Sequence, residues 1–170
     1  MNSKEPKKIL FLFTELSGYM INCFEIAKLS DFEIHVIKYP INKEAPFEFK
    51  SKNEIYLYDR KQFNSKQDLL NIICKLSPQL LLISGWIDEL YLKIVKEDAL
   101  KCKKVLMFDT SWENKLKQKI WITIFKFSYL KYFNSVWVPG DKQLQYARKL
   151  GFKKSQIFQG LYTCNFDLFK

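Results

Sequence analysis

Unbroken apolar runs alternate along the chain with segments whose apolar positions recur at helical spacing, and this alternation predicts the secondary structure. Ile9-Leu-Phe-Leu-Phe13, Phe32 to Ile37, Leu80-Leu-Leu-Ile83, Lys104-Val-Leu-Met-Phe108 and Val136 to Val138 read as strands, and Ile55 to Leu57 as a further short one. Runs such as Ile9 to Phe13 and Leu80 to Ile83 lack a polar face, which is the pattern of strands buried on both sides. Between them, Met20, Phe24 and Ala27 fall on one helical face after the Ser17-Gly18 turn, in a helix that fades near Ser30-Asp31. Leu69, Ile72, Ile73 and Leu76 line a helix from about Ser65 to Leu76 that Pro78 ends. Asp88 is placed to cap a helix carrying Leu90, Ile94 and Val95. A long helix is predicted from Asn114 to Tyr132, and Leu144, Ala147 and Leu150 mark a last one that Gly151 closes. The segment from Pro40 to Lys52 reads as an irregular connection.

Strand and helix in strict alternation call for right-handed crossovers and one parallel sheet. The predicted fold class is therefore α/β, a Rossmann-like sheet with helices on both faces. Ligands of such sheets bind at the carboxyl ends of the strands, near the point where strand order reverses. The loops of interest are then Thr14 to Tyr19, Ser84 to Asp88, Asp109 to Asn114 and Pro139 to Lys142. With 170 residues the chain has room for one domain, expected over residues 8–170 behind a flexible basic N-terminus, 1–7.

Composition changes this picture in two places. Aromatic residues make up 16% of the chain, high enough that some must be half-exposed or face a partner. A net charge of +10 favours anionic partners. Nucleic acid is not among those expected, because the lysines are scattered and no RRM, helix-turn-helix or zinc-finger pattern occurs. Cys23, Cys74, Cys102 and Cys164 show no CxxC and no nearby His, so no metal site is predicted and the thiols read as core-filling in a reducing cytosol. The Ile9 to Phe13 run is too short for a signal sequence or membrane span, which makes a cytoplasmic location the expectation.

From Val136 onward the chain reads Val136-Trp-Val-Pro-Gly-Asp141, Gln145-Tyr-Ala-Arg-Lys-Leu-Gly-Phe152, Gln156-Ile-Phe-Gln-Gly-Leu-Tyr162 and Asn165-Phe-Asp-Leu-Phe169. Strand, glycine turn, helix and extended exit in this order resemble the last βαβ unit of the N-terminal domain of GT-B glycosyltransferases, the family-4-like enzymes in particular. The exit departs from the family in one respect, carrying Asn165 where an Asp is usual. The resemblance implies an acceptor-side domain that works with a separate C-terminal, donor-binding domain. It further implies transfer of a sugar from a nucleotide-diphosphate sugar to a glycan or lipid-linked acceptor, with no cofactor required and little or no activity expected from this domain alone. The alternative is a non-catalytic Rossmann-like module that docks a membrane or a separate catalytic subunit.

Candidate site residues follow from the loops and the resemblance together. The first βα turn holds Ser17 and Gly18, in the loop that the family places under the donor phosphates and beside the acceptor; an ordinary turn accounts for them equally. It is not GxGxxG, so a dinucleotide fingerprint is lacking. Gly85 permits close approach of backbone, and Trp86 offers a flat apolar face to a sugar ring or lipid, or else simply packs at a strand end. Asp109 and Ser111, with Thr110 between them, resemble the family's "SDS"-type turn and could bind acceptor hydroxyls; helix N-capping is the competing use. Gly140 ends the strand that opens the motif. His35 alternates with Ile34 and Val36 in mid-strand and reads as structural, and the E-x7-E spacing of Glu25 and Glu33 falls across a helix end and a strand start, where it carries no donor-site meaning. Lys115, Lys119 and Lys126 share one side of the long helix beside Trp121, a mixture suited to an anionic membrane surface, though a buried helix with solvated lysines explains it too.

Overall fold

The predicted alternation becomes β1 (Lys7–Phe13), α1 (Gly18–Lys28), β2 (Phe32–Lys38), β3 (Tyr56–Asp59), α2 (Lys66–Leu76), β4 (Leu80–Ser84), α3 (Glu89–Ile94), β5 (Lys103–Met107), α4 (Leu116–Ser128), β6 (Ser135–Val138), α5 (Asp141–Leu150) and β7 (Ile157–Gln159). These elements belong to a computed structural model that describes residues 6–14, 16, 18–28, 32–40 and 55–160. Residues 1–5, most of the expected irregular connection, Ser17 and the exit motif with Tyr162 and Asn165 lie outside the described residues. The strands form one seven-stranded sheet in the order β3-β2-β1-β4-β5-β6-β7, and every neighbouring pair is parallel. Strand order reverses between β1 and β4, so the switch point lies there.

Alternate residues of the inner strands feed two cores. Ile9, Phe11, Phe13, Ile34, Val36, Leu82, Val105 and Met107 pack with Met20, Ile21 and Phe24 of α1 on one face. Leu10, Leu12, Ile37, Leu81, Ile83, Leu106, Val136 and Val138 pack on the other with residues of α2, α3, α4 and α5. This is the Rossmann-like arrangement that the doubly apolar runs predict.

Helix ends follow local chemistry. Ser65 and Asp68 form a reciprocal capping box at the start of α2, with the Asp68 N–H 3.1 Å from Ser65 Oγ and the Ser65 N–H 3.0 Å from Asp68 Oδ2. α2 ends at Ser77, in left-handed conformation ahead of Pro78. α5 ends at Gly151 with φ +104, where a Cβ would stand 2.7 Å from Leu130 Cδ2. Glycine therefore satisfies both the backbone and the packing of α5 against the exit of α4.

The long helix expected from Asn114 to Tyr132 is shorter at both ends. Asn114 takes φ +60, which a helix cannot use, so α4 begins two residues later. Tyr129 leaves helical geometry, and a 3₁₀ turn over Leu130–Tyr132 then brings Phe133 into the core. His35 sits in mid-strand as expected, with Nε2 2.6 Å from Glu33 Oε1, Nδ1 3.0 Å from Tyr58 Oη, and its ring stacked on Tyr56.

Candidate ligand-binding rim

Beyond the switch, the turns after β4, β5 and β6 are tied together by α5. Gln143, in the first turn of that helix, donates from Nε2 to the Asp109 carbonyl oxygen at 2.7 Å and to Ser111 Oγ at 3.1 Å. Gln118 of α4 holds the same loop from the other side, donating to the Ser111 carbonyl at 2.8 Å and accepting from the Glu113 N–H at 2.9 Å. Ser111 and Asp109 are thus not N-caps of α4; Lys115 stands at that position, and Gln118 supplies the polar contact. Since Ser111 Oγ accepts from Gln143, its own proton remains available to a ligand oxygen. Asp109 is exposed and enters no ion pair among the described residues.

Gly85 has φ +66 and its N–H donates to the Met107 carbonyl at 2.6 Å. Nothing lies within 4 Å of where its Cβ would be, so it is glycine for conformation, and the space above it is open. Trp86 turns inward: its ring lies 5.2 Å from Phe108, 5.5 Å from Trp121 and 5.7 Å from Tyr146. The face expected to meet a sugar ring therefore packs in an aromatic cluster, and the apolar side chain that this turn offers to solvent is Ile87, 80% exposed. Gly140 is extended, with φ −158, and a Cβ there would lie 3.3 Å from Gln143 Oε1. Its small size leaves room for the glutamine that ties the loops together.

Across the switch itself the polar groups are consumed internally. Arg60 follows β3, and Asp88, at the far end of the turn after β4, reaches back to it; both are buried, with Arg60 Nε 2.7 Å and Nη2 3.3 Å from the two Asp88 oxygens. Tyr39, just past β2, donates its hydroxyl to Asp88 Oδ2 at 3.0 Å. Asp88 Oδ1 also accepts the Leu90 N–H at 2.7 Å, so the predicted cap of α3 is present and carries an ion pair besides. Burial alone would raise the Asp88 pKa, but the hydrogen bonds from Arg60 and Tyr39 and the Arg60 charge outweigh it and hold the carboxyl below its usual range. Tyr91 of α3 reaches across the ends of β1 and β2, its hydroxyl 3.3 Å from the Phe13 carbonyl and 3.4 Å from that of Ile37. Burial, with the Asp88 charge, pushes the Tyr91 hydroxyl pKa well above the ordinary phenol value, so it stays a neutral donor.

The structure therefore brings Gly85, Asp109, Ser111 and Gly140 onto one rim. Gly18 is the first residue of α1, at the end of the neighbouring β1, whereas Ser17 lies outside the described residues. Lys115, Lys119 and Lys126 are exposed, but Trp121 does not share their face. Its ring packs on Trp86, Phe125 and Tyr129, and its Nε1 is buried with no hydrogen-bond partner among the described residues. Reading Trp121 as membrane-facing is corrected accordingly: α4 is apolar nearly all round, and the larger ring fills the gap between helix and sheet. Arg60, Tyr39, Gln118 and Gln143 were not singled out by the sequence. The one available signal was Arg60, a charge shortly after the predicted strand Ile55 to Leu57.

Among the described residues no group of His, Cys, Asp and Glu could hold a metal ion, and no helix is long and apolar enough to cross a membrane. Comparison with models of known protein families gives no match, and comparison with curated proteins gives none either.

Proposed function

We propose that the chain is the N-terminal, acceptor-binding domain of a GT-B glycosyltransferase that moves a sugar from a nucleotide-sugar donor to a glycan or lipid-linked acceptor. The observation that carries this reading is the meeting of Gly85, Asp109 and Ser111 at the ends of adjacent strands, held by Gln143, beside open space. An exposed carboxylate and a hydroxyl with a proton to give suit the hydroxyl groups of a sugar, which both donate and accept. The resemblance of the Val136 to Phe169 stretch adds the family. On this reading the donor's diphosphate is held by a second domain, and the described rim forms the acceptor wall of a cleft between the two.

The test is calorimetric titration of the full chain with a short-chain polyprenyl-phosphate-linked sugar and, separately, with a nucleoside-diphosphate sugar. Binding of the first but not the second is expected, weakened roughly fivefold by Ser111→Ala through loss of one hydrogen bond. Binding of neither, or acceptor binding untouched by Ser111→Ala, overturns the proposal. The second reading, a non-catalytic docking module, is favoured by one feature, the exposed apolar face of α4.

A further inference from the structure

An ordinary surface helix turns its apolar stripe to the core and its polar residues to water. α4 does this only in part. Phe125 is fully buried, and Gln118, Trp121 and Ile122 are half-buried beside it. At 100° per residue the opposite side carries Leu116, Phe127, Ile120 and Ile124 in one sector. Those side chains are 72%, 81%, 52% and 44% exposed. The outermost line of the helix is thus apolar along its whole length.

Lysines border this line on both edges. Lys117 falls beside Ile124 on one side, Lys119 and Lys126 on the other, all exposed and in no ion pair among the described residues. No Asp or Glu occurs anywhere from Asn114 to Gly140. We infer that the outward face of α4 docks on an anionic lipid surface, with Leu116, Ile120, Ile124 and Phe127 entering the acyl boundary and Lys117, Lys119 and Lys126 meeting phosphate headgroups.

The charge pattern selects this occupant. A second copy joined through the same face would set lysine against lysine, since a two-fold interface pairs a surface with itself. A bilayer offers apolar depth and negative charge in one plane, in the order that the helix presents them. At 13 residues α4 is about 20 Å long, enough to lie in the interface and too short to span it. The attachment is therefore peripheral and reversible. It is independent of whether the rim binds a sugar acceptor.

The experiment is flotation of the full chain with vesicles of phosphatidylcholine alone and of phosphatidylcholine mixed with phosphatidylglycerol. Binding is expected to the anionic vesicles only, and to fall as salt is raised. Phe127→Glu should reduce it roughly tenfold or more by removing apolar insertion, and Lys119→Gln and Lys126→Gln about fivefold each. All three positions are exposed, so circular dichroism of the variants should match wild type. Equal binding to both vesicle types, no binding to either, or a wild-type dimer that Phe127→Glu converts to monomer would each overturn the assignment.

Discussion

At the switch, Arg60 and Tyr39 from the ends of β3 and β2 converge with the Leu90 N–H on one carboxylate, Asp88, which follows β4, and Tyr91 spans the ends of β1 and β2 beside them. On the β5–β6 side, the same structural position holds an exposed Asp109, a Ser111 hydroxyl with an unused proton, and open space over Gly85. Both regions are strand ends of one sheet, and both carry polar residues. They differ in whom those residues serve. A carboxylate whose acceptor sites are filled by its own chain fixes the fold, whereas one left exposed beside a braced loop is available to a ligand. The lesson is that an acidic residue at a strand end marks a site only after its internal partners have been counted.

The largest expected effect breaks the closed side. Asp88→Asn removes the charge from a buried pair and should lower the unfolding free energy by about 3–5 kcal/mol, measured by urea denaturation. Its pH dependence sharpens the contrast. Because the folded-state pKa of Asp88 lies below its unfolded value, its stabilisation is complete above roughly pH 4 and is lost as pH falls through the folded pKa. The stability gap between wild type and Asp88→Asn should therefore narrow in acid and stay constant from neutral pH upward. A gap that widened in acid would refute the ion-pair account.

On the open side the effects should be smaller. Gly85→Ala places a Cβ at φ +66, where space is free but backbone is not, and should cost about 1–2 kcal/mol in the same assay. A null effect would mean that the turn after β4 is not held in that conformation. Trp121→Phe should change stability by less than about 1 kcal/mol, because lost ring area is offset by removing an N–H that is buried without a partner among the described residues. A large loss would show that the indole nitrogen has a partner after all.

How much of this was legible in the sequence depended on distance along the chain. Runs such as Ile9 to Phe13 could only be doubly buried strands, and the order of strand, turn and helix followed from them. Ser65 with Asp68, and Gly151 after Leu150, are local signals that act within one helical turn. The Arg60–Asp88 pair was not legible, because 28 positions separate the two and only the order β3-β2-β1-β4 makes them neighbours. Asp88 taken alone looked like a cap, and it is one. Asp109 and Ser111 were read from their loop, but Gln143, which bonds both, sits inside a helix where a glutamine reads as solvated surface. α4 misled for the opposite reason. Its apolar residues occur all round, so periodicity could not say which face met the sheet, and Trp121 rather than Phe127 was taken for the outward aromatic.

The measurement that tests the division of the rim most directly is amide chemical-shift mapping of the chain titrated with the polyprenyl-phosphate-linked sugar. The account expects shifts centred on Gly85, Asp109, Ser111 and Gln143, with Tyr39, Arg60 and Leu90 unmoved. Shifts gathered at Tyr39, Arg60 and Leu90, with the β5–β6 loops unchanged, would contradict it.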